Sequence, residues 1–299
     1  MHNPPPQKLE PALYVVATPI GNLRDISLRA LDILTAAEVI AAEDTRNTGH
    51  LLTHHGIKAN RLIAVHQHNE RASAEKIISL LAAGQTVAFV SDAGTPAISD
   101  PGALLVQMVR CAGFRVIPVP GANAAIAALS AAGTLASAMT QTGTETASAH
   151  FLFYGFLPNK SAARRSALED LYHHPYTLVF YEAPHRIIEC VADLCSVFGN
   201  QRQLVLAREI TKLFESIHSC TLGEAGAWLD ADPNRQRGEF VLLVSGKTPQ
   251  PGLSAEVRNM LEILLAELPL KQAVQLATRI SKMPRNELYQ LALELKQPP

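Results

Sequence analysis

Cysteine is scarce in this sequence, and the four cysteines present show no CxxC spacing. This argues against a zinc site or a disulfide framework, and three of the four sit in apolar patterns typical of reduced core thiols. The histidine pairs have no partnered carboxylate at ligand spacing, so we predict no metal site. The cysteines are Cys111, Cys190, Cys195 and Cys220, and the histidine pairs are His54–His55, His66/His68 and His173–His174.

Long apolar runs are missing. No run approaches the roughly 20 residues needed to cross a bilayer, so we expect no membrane partner. The opening residues, MHNPPPQKLEP, lack the apolar segment of a signal peptide. We therefore predict a disordered leader over residues 1–12 and a cytoplasmic location.

The chain also lacks an excess of either charge. It carries 26 Lys and Arg against 27 Asp and Glu, a formal net charge of −1. Because phosphate binding needs clustered Lys and Arg, any case for a nucleic-acid partner must rest on local basic groups. Two such groups are Lys160, Arg164 and Arg165, and Arg235, Arg237 and Lys247.

The 299 residues suffice for about two domains. Over residues 13–133, short and almost continuously apolar runs alternate with amphipathic segments, as in a parallel sheet covered on both faces. We predict an α/β domain there. Its strands are predicted at 13–17, 38–43, 61–65, 86–90 and 115–119.

Residues 134–149 are rich in Ser, Thr, Ala and Gly, which is typical of a linker. Strand-like and helix-like segments are interleaved after it, so residues 150–248 are predicted to form a second, mixed α/β domain. The strand-like runs are HFLFYGF, YTLVFYEA, QLVLARE, LFESIHSC and GEFVLLVSG.

Residues 249–299 contain only helical patterns and form a predicted helical appendage. Four basic residues and no acidic one lie between Leu268 and Asn286, in two short helices. A helix-turn-helix of this kind can contact phosphates, and a docked bundle with a solvated basic face fits the pattern equally well. The basic residues are Lys271, Arg279, Lys282 and Arg285.

Three glycine- and proline-containing loops follow predicted strands: TPIGNLRD at 18–25, SDAGTPAISDPG at 91–102, and the segment starting PVPGAN at 118–123. Since parallel strands share one carboxyl edge, where ligands bind, we expect the loops to line one pocket. The first loop lacks GxGxxG, so dinucleotide binding is not indicated, and a plain turn there remains an alternative.

Several acidic residues permit two interpretations. Asp100 precedes Pro101 and could cap a helix or act in catalysis. The motifs FYEAPHR (180–186) and LAREITK (206–212) place glutamates beside arginines at strand ends, where a salt bridge is the commoner role and a catalytic one the alternative.

Short motifs follow one another in a definite order: TPIGNLRD, AAEDTR (41–46), SDAGTP, DPG, PGAN, GFLP (155–158), FYEAPHR, LAREITK and GEFVLLV, with LPLKQAVQLA and NELYQLAL near the end. This set resembles the tetrapyrrole methylase superfamily and, within it, the ribosomal small subunit methyltransferase I group. The resemblance covers nearly the whole chain. It implies a two-domain α/β fold, with a parallel-sheet first domain, a mixed second domain and a small C-terminal helical appendage.

The resemblance also implies an activity. The expected enzyme is a homodimer that binds S-adenosylmethionine between its two α/β domains. It methylates the 2′-oxygen of a cytidine ribose in the decoding region of 16S rRNA (cytidine 1402 in the family), as free rRNA or within the 30S subunit. Carried over by position, the residues expected to contact the methyl donor are Ile20, Thr95, Ile98, Asn123, Ala124, Tyr181, Ala207 and Glu239.

For the catalytic step, the resemblance places Asp44 and Arg46 at an RNA-facing rim. Our hypothesis is that Asp44 or Glu182 accepts or orients the hydroxyl proton and that Arg46 holds a flanking phosphate. Two competing functions are a tetrapyrrole C-methyltransferase, because a fold does not settle function, and a non-catalytic RNA- or protein-binding module. The basic appendage argues against the first, and binding of S-adenosylmethionine would argue against the second.

Overall fold

The structure is a computed structural model that describes residues 9–133, 150–247 and 255–296. The chain forms two compact units, Met1–Lys247 and Thr248–Pro299. The predicted linker, 134–149, and most of the predicted leader lie outside the described residues. Of the leader, Ala12 is fully buried and its carbonyl accepts a hydrogen bond from the Val87 amide.

The first sheet is parallel, as predicted, with each strand close to its expected position. Two of its interior strands, Val39–Ala42 and Val87–Val90, are buried along their whole length because helices cover both faces. The strands are β1 (Leu13–Val16), β2 (Val39–Ala42), β3 (Leu62–Ala64), β4 (Val87–Val90) and β5 (Val116–Val119), in the spatial order β3-β2-β4-β1-β5.

One helix of this half was not predicted, the segment Thr45–His54. Its sequence is polar on average and buries only Thr48 and Leu52, so it lacks the apolar content by which a helix is predicted. The Asp44 side chain caps it by accepting a hydrogen bond from the Arg46 amide. The helices are α1 (Leu28–Ala36), α2 (Thr45–His54), α3 (Glu70–Ala82), α4 (Ala103–Cys111) and α5 (Ala124–Ala132).

The second sheet is mixed. Its first two strands pair in parallel and the others are antiparallel. The strands β6 (Phe151–Phe156), β7 (Thr177–Glu182), β8 (Gln203–Arg208), β9 (Ser216–Thr221) and β10 (Phe240–Val244) lie in the order β6-β7-β10-β8-β9. The helices are α6 (Ser161–Leu171), α7 (Ile187–Phe198) and α8 (Leu222–Asp230).

The small-residue helix α5 joins the two sheets. Ala125 and Ala128 are buried against Val179, Val205 and Val241 of the second sheet. Alanine side chains allow this close approach because they fill little space between helix and sheet. The packing brings the loops after β1, β4 and β5 next to strands β7 and β10, and so creates the site described below.

The second unit consists of the helices α9 (Ala255–Glu267), α10 (Leu270–Ser281) and α11 (Arg285–Lys296). They bury a core of their own that includes Leu261, Val274 and Leu288. The predicted fold class, α/β with a parallel sheet, a mixed second sheet and C-terminal helices, is confirmed.

The cysteines differ in burial more than their sequence patterns predict. All four are unpaired thiols, but Cys190 alone is fully buried, Cys111 is exposed, and the other two are partly buried. No helix of the described segments is both long enough and apolar enough to span a membrane.

Candidate active site

Two adjoining cavities open at the carboxyl edge of the first sheet. The first has a volume of about 280 Å³, close to the lower end of the range of roughly 300–1,000 Å³ for small-molecule pockets. The second has about 360 Å³. Both are lined by Ile20, Ala93, Lys212 and Glu239, so they share one wall.

The three predicted loops converge on these cavities and are bonded to one another. Thr18 and Gly94 exchange two backbone hydrogen bonds, of 2.8 and 3.1 Å, between the first loop and the loop after β4. The Thr95 hydroxyl donates to the Ala122 carbonyl at 3.1 Å, which links that loop to the one after β5. Hydrogen bonds therefore hold the three loops together on one side of the site.

The first turn of α5, which begins at Ala124 beside the first cavity, carries backbone N–H donors. Two of these donors are used within the protein: Asn123 Oδ1 accepts from the Ile126 amide at 3.2 Å, and the Tyr181 hydroxyl accepts from the Ala125 amide at 3.2 Å. Burial raises the pKa of Tyr181, so the phenol stays neutral. The tyrosine thereby fastens α5 to the second sheet at the cavity wall.

Seven of the eight residues expected to contact the methyl donor line the first cavity. The eighth, Ala207, is fully buried in β8, where it pairs with Val241 of β10, itself a lining residue. Ala207 therefore lies behind the wall. The seven lining residues are Ile20, Thr95, Ile98, Asn123, Ala124, Tyr181 and Glu239.

Glu182, one of the catalytic candidates, has a side chain with no exposed surface. Its carboxylate lies 3.1 Å from Arg186 Nε and accepts a hydrogen bond from the Ala183 amide at 2.8 Å. Burial and the Glu182 carboxylate raise the pKa of the neighbouring Cys190 thiol. The geometry favours the salt-bridge interpretation of FYEAPHR, because Glu182 holds the turn after β7.

Asp44 and Arg46 lie together at the start of α2, beside the second cavity. Arg46 Nη2 is 2.6 Å from Asp44 Oδ2, and the Arg46 side chain is 85% exposed. Hydrogen bonds from Arg46 lower the pKa of Asp44 to about 2. Asp44 is therefore a weak base, whereas the guanidinium, although paired with Asp44, is exposed and can reach a phosphate.

Lys212 lines both cavities of the site. Its amine donates to Glu209 and Glu239, each at 2.8 Å. Burial alone would lower its pKa, but the two hydrogen bonds and the negative charges of Glu209 and Glu239 together outweigh burial and leave the pKa raised. The lysine stem crosses Gly21, where a Cβ atom would stand 2.4 Å from Lys212 Cγ. Glycine is therefore required at Gly21 for this contact.

Asp100, for which the sequence left a helix cap and a catalytic role both open, lines the first cavity. Burial, as the largest cause, and the Glu43 and Asp92 carboxylates together raise its pKa to about 6. It does not cap α4, since Glu70 Oε1 accepts from the Gly102 and Leu105 amides at 3.0 and 3.1 Å. The sequence feature that places Asp100 at the site is its position in a loop that follows a parallel strand, because ligands bind at that edge of the sheet.

Three of the six basic residues named from the sequence between Lys160 and Lys247 contact other side chains of the protein. Arg164 is fully buried and paired with Asp193 at 2.7 Å, so it cannot meet RNA phosphates. Arg235 lies over the Trp228 ring and Lys247 over the Tyr172 ring. Within the described segments, no three His, Cys, Asp or Glu residues form a group that could hold a metal ion.

Comparison with known families gives two matches along the chain. Residues 12–226 match the family described as Tetrapyrrole (Corrin/Porphyrin) Methylases. Residues 251–296 match the family described as RsmI C-terminal HTH domain. The two matches together reach from the first sheet to the last helix.

Two curated relatives are similar over nearly their whole length. The Ribosomal RNA small subunit methyltransferase I of Escherichia coli O157:H7 is 50% identical over 283 residues, which cover 94% of each chain. The Pseudomonas aeruginosa protein of the same name is 50% identical over 285 residues, 94% of this chain and 96% of its own.

Solved structures share the fold at low identity. The methyltransferase CobJ superposes with a TM-score of 0.56 at 19% identity, over 79% of this chain and 94% of its own. The cobalt precorrin-4 methyltransferase CbiF gives 0.54 at 19% identity, over 78% and 94%. At this identity the likeness concerns the fold alone.

Proposed function

This chain belongs to the tetrapyrrole methylase family, and from that membership we propose that it is an rRNA methyltransferase of the small ribosomal subunit. It transfers the methyl group of S-adenosylmethionine to the 2′-oxygen of a cytidine ribose in 16S rRNA, in the decoding region (cytidine 1402 in the family). The observation that carries this proposal is the 50% identity to two such methyltransferases along almost the full chain.

We place the methyl donor in the first cavity. Its sulfonium supplies an already activated methyl group, so the protein's main task is to hold the two reactants in line, with the reacting atoms roughly 3–3.5 Å apart. The rigid frame formed by Thr18, Gly94 and Thr95 suits that task. No metal is needed for such a displacement, and we propose none.

We place the acceptor nucleotide at the second cavity. This cavity is bordered by Asn47 and His50 of α2 and shares a wall with the first cavity. A ribose there would meet the methyl group at the place where the two cavities adjoin. Asp44 orders the start of α2 through its cap, and Arg46 is exposed beside it to hold a flanking phosphate.

Arg46→Ala should weaken RNA binding and leave the methyl donor unaffected. Loss of one phosphate contact should raise KM for 30S subunits several-fold and reduce the slope of log affinity against log salt by about one. Filter binding between 50 and 200 mM salt measures the slope. Arg110→Ala, exposed in the last turn of α4, is the matched control and should change neither quantity. An unchanged slope for Arg46→Ala would remove Arg46 from the RNA-contacting surface.

The second unit provides a further basic surface. The four basic residues noted in the sequence are all exposed, and they lie on α10, on α11 and in the turn between them. Since this segment matches an HTH family, we propose that it contacts phosphates of the rRNA. The residues are Lys271, Arg279, Lys282 and Arg285.

The competing function is a tetrapyrrole C-methyltransferase; the structural neighbour CbiF is named a cobalt precorrin-4 methyltransferase. A small macrocycle has no need of a basic helical unit, so this unit favours the rRNA substrate. The homodimer rests on the family resemblance, and the cytoplasmic location stays a prediction from the sequence. Light scattering of the purified protein would test the dimer.

The test of the function is tritium transfer from labelled S-adenosylmethionine to 30S subunits that lack modification, with free 16S rRNA and a tetrapyrrole precursor in parallel. We expect label in a 2′-O-methylcytidine of 16S rRNA, and the comparison of 30S with free rRNA identifies the substrate state. Label in the tetrapyrrole alone would keep the family and overturn the function.

A further inference from the structure

The turn that follows β8, residues 209–215, holds two large apolar side chains in solvent. Leu213 is 90% exposed and Phe214 is 68% exposed. They are neighbours in the chain, and the residue before them, Lys212, lines both cavities. Leu213 and Phe214, named here the apolar tip, therefore lie beside the opening of the site.

Hydrogen bonds fix the turn that carries the apolar tip. The Lys212 amide donates to the Glu209 carbonyl at 3.0 Å, and the Glu215 amide donates to the Lys212 carbonyl at 3.2 Å. The Glu215 carboxylate accepts from the Thr211 amide at 2.6 Å. Glu209 and Thr211 adopt left-handed backbone angles, with φ of 53° and 68°, which non-glycine residues seldom do. The turn therefore has a defined shape that keeps the apolar tip exposed.

The turn reverses the usual placement of charged and apolar side chains. Its charged groups are bonded within the protein: Lys212 Nζ donates to Glu209 at 2.8 Å, and the Arg208 guanidinium donates to the carbonyls of Phe214 and Arg237 at 3.0 and 3.2 Å. The side chains left to solvent are the apolar ones. A turn that only joins two strands would expose polar groups instead, so this arrangement indicates a contact surface for a partner.

Cations near the apolar tip indicate what that partner is. Arg237, whose carbonyl is bonded to Arg208 at the base of the turn, is exposed, and Arg46 is exposed beside the second cavity. A nucleotide suits both features, because its base can stack on an aromatic ring while its phosphate meets a guanidinium. We propose that Phe214 stacks on an unpaired base of the rRNA next to the target nucleotide. This inference rests on the proposed function, since it presumes an rRNA substrate.

The turn rests on a wall of the second cavity. Thr211 Oγ1 and Lys212 Cγ lie 3.0 and 2.4 Å from the position of a Cβ on Gly21, which lines that cavity. The cavity that we assign to the acceptor ribose and the apolar tip are therefore joined through one packed contact. A nucleotide that enters the cavity leaves the stack of its strand, so the base next to it loses a stacking partner. The ring of Phe214 replaces that partner.

Phe214→Ala should raise the dissociation constant for 30S subunits about tenfold, a loss of about 1.4 kcal/mol that lies in the range for one base on an aromatic side chain. The single-turnover rate at saturating 30S subunits and the affinity for S-adenosylmethionine should each change less than about twofold. Phe214→Trp should bind as tightly as wild type, whereas Phe214→Leu should recover little, because leucine restores apolar area without an aromatic face. Filter binding and single-turnover methylation measure these quantities.

Salt dependence and a second phenylalanine serve as controls. Stacking releases no counterions, so the loss for Phe214→Ala should be the same at 50 and 200 mM salt, unlike that for Arg46→Ala. Phe151 is also exposed, at 42%, and begins β6 at the end of the strand away from Phe156, which lines the first cavity. Phe151→Ala should therefore bind 30S subunits like wild type.

The outcomes separate this inference from the proposed function and from a protein partner. If wild type methylates rRNA and Phe214→Ala or Phe214→Leu binds 30S subunits as tightly, the inference fails and the function stands. A second copy of this chain could also cover the apolar tip. Light scattering should give the same mass for wild type and Phe214→Ala, and a changed mass would assign the tip to a subunit interface and overturn the inference. If wild type transfers no label to rRNA, the proposed function itself fails.

Discussion

Gly94→Val should lower the affinity for S-adenosylmethionine about 100-fold. Gly94 lines the first cavity, and a Cβ there would stand 3.3 Å from Ile20 Cγ2 and 3.7 Å from the Ala122 carbonyl, so the added methyl groups must enter the space assigned to the donor. Overpacking of this kind costs about 1–3 kcal/mol, and about 1.4 kcal/mol is a tenfold change in affinity. Isothermal titration calorimetry measures the loss.

Backbone strain needs a separate control, because Gly94 has a φ of +79° and valine is strained there whatever the space. Gly84 has a φ of +78° and nothing within 4 Å of its Cβ position. Gly84→Val should therefore show a similar loss of stability, roughly 1–2 kcal/mol, with unchanged donor affinity. Equal affinity in the two variants would mean that the donor does not occupy the first cavity.

The sheets could be predicted from the sequence because their strands are continuous apolar runs bounded by turn residues. Helix α2 could not, since its segment is polar on average and buries only Thr48 and Leu52, so its apolar face is too small to indicate a helix. Its cap depends on Asp44, a residue noticed only through the family motif. Helix α2 borders the second cavity, where the RNA is proposed to bind.

The sequence predicted which loops form the site, but it did not predict the role of each carboxylate within it. Parallel topology alone brings the loops after β1, β4 and β5 together. The state of each carboxylate depends on partners distant in sequence, such as Lys212 for Glu239 and Glu43 for Asp100. No spacing in the chain specifies those partners, so the sequence could not separate Asp100 from a helix cap.

Arg164 shows a signal that the sequence did contain. Arg164, Leu168 and Leu171 are the buried residues of α6, spaced i, i+4 and i+7, the spacing of one helix face. Counting Arg164 in a basic surface group overlooked this periodicity. A charged residue on the apolar face of a helix indicates a buried partner, and here Asp193 of α7 is that partner.

Arg164→Ala should reduce the free energy of unfolding by about 3–5 kcal/mol, because removal of one member of a buried pair leaves the other without compensation. Asp193 would retain only the hydrogen bond from Ser161, at 2.9 Å. Arg165→Ala changes the neighbouring, exposed arginine of the same helix and should stay within about 0.5 kcal/mol of wild type. Urea denaturation followed by circular dichroism compares them. A small loss for Arg164→Ala would show that water or a shifted side chain replaces the guanidinium.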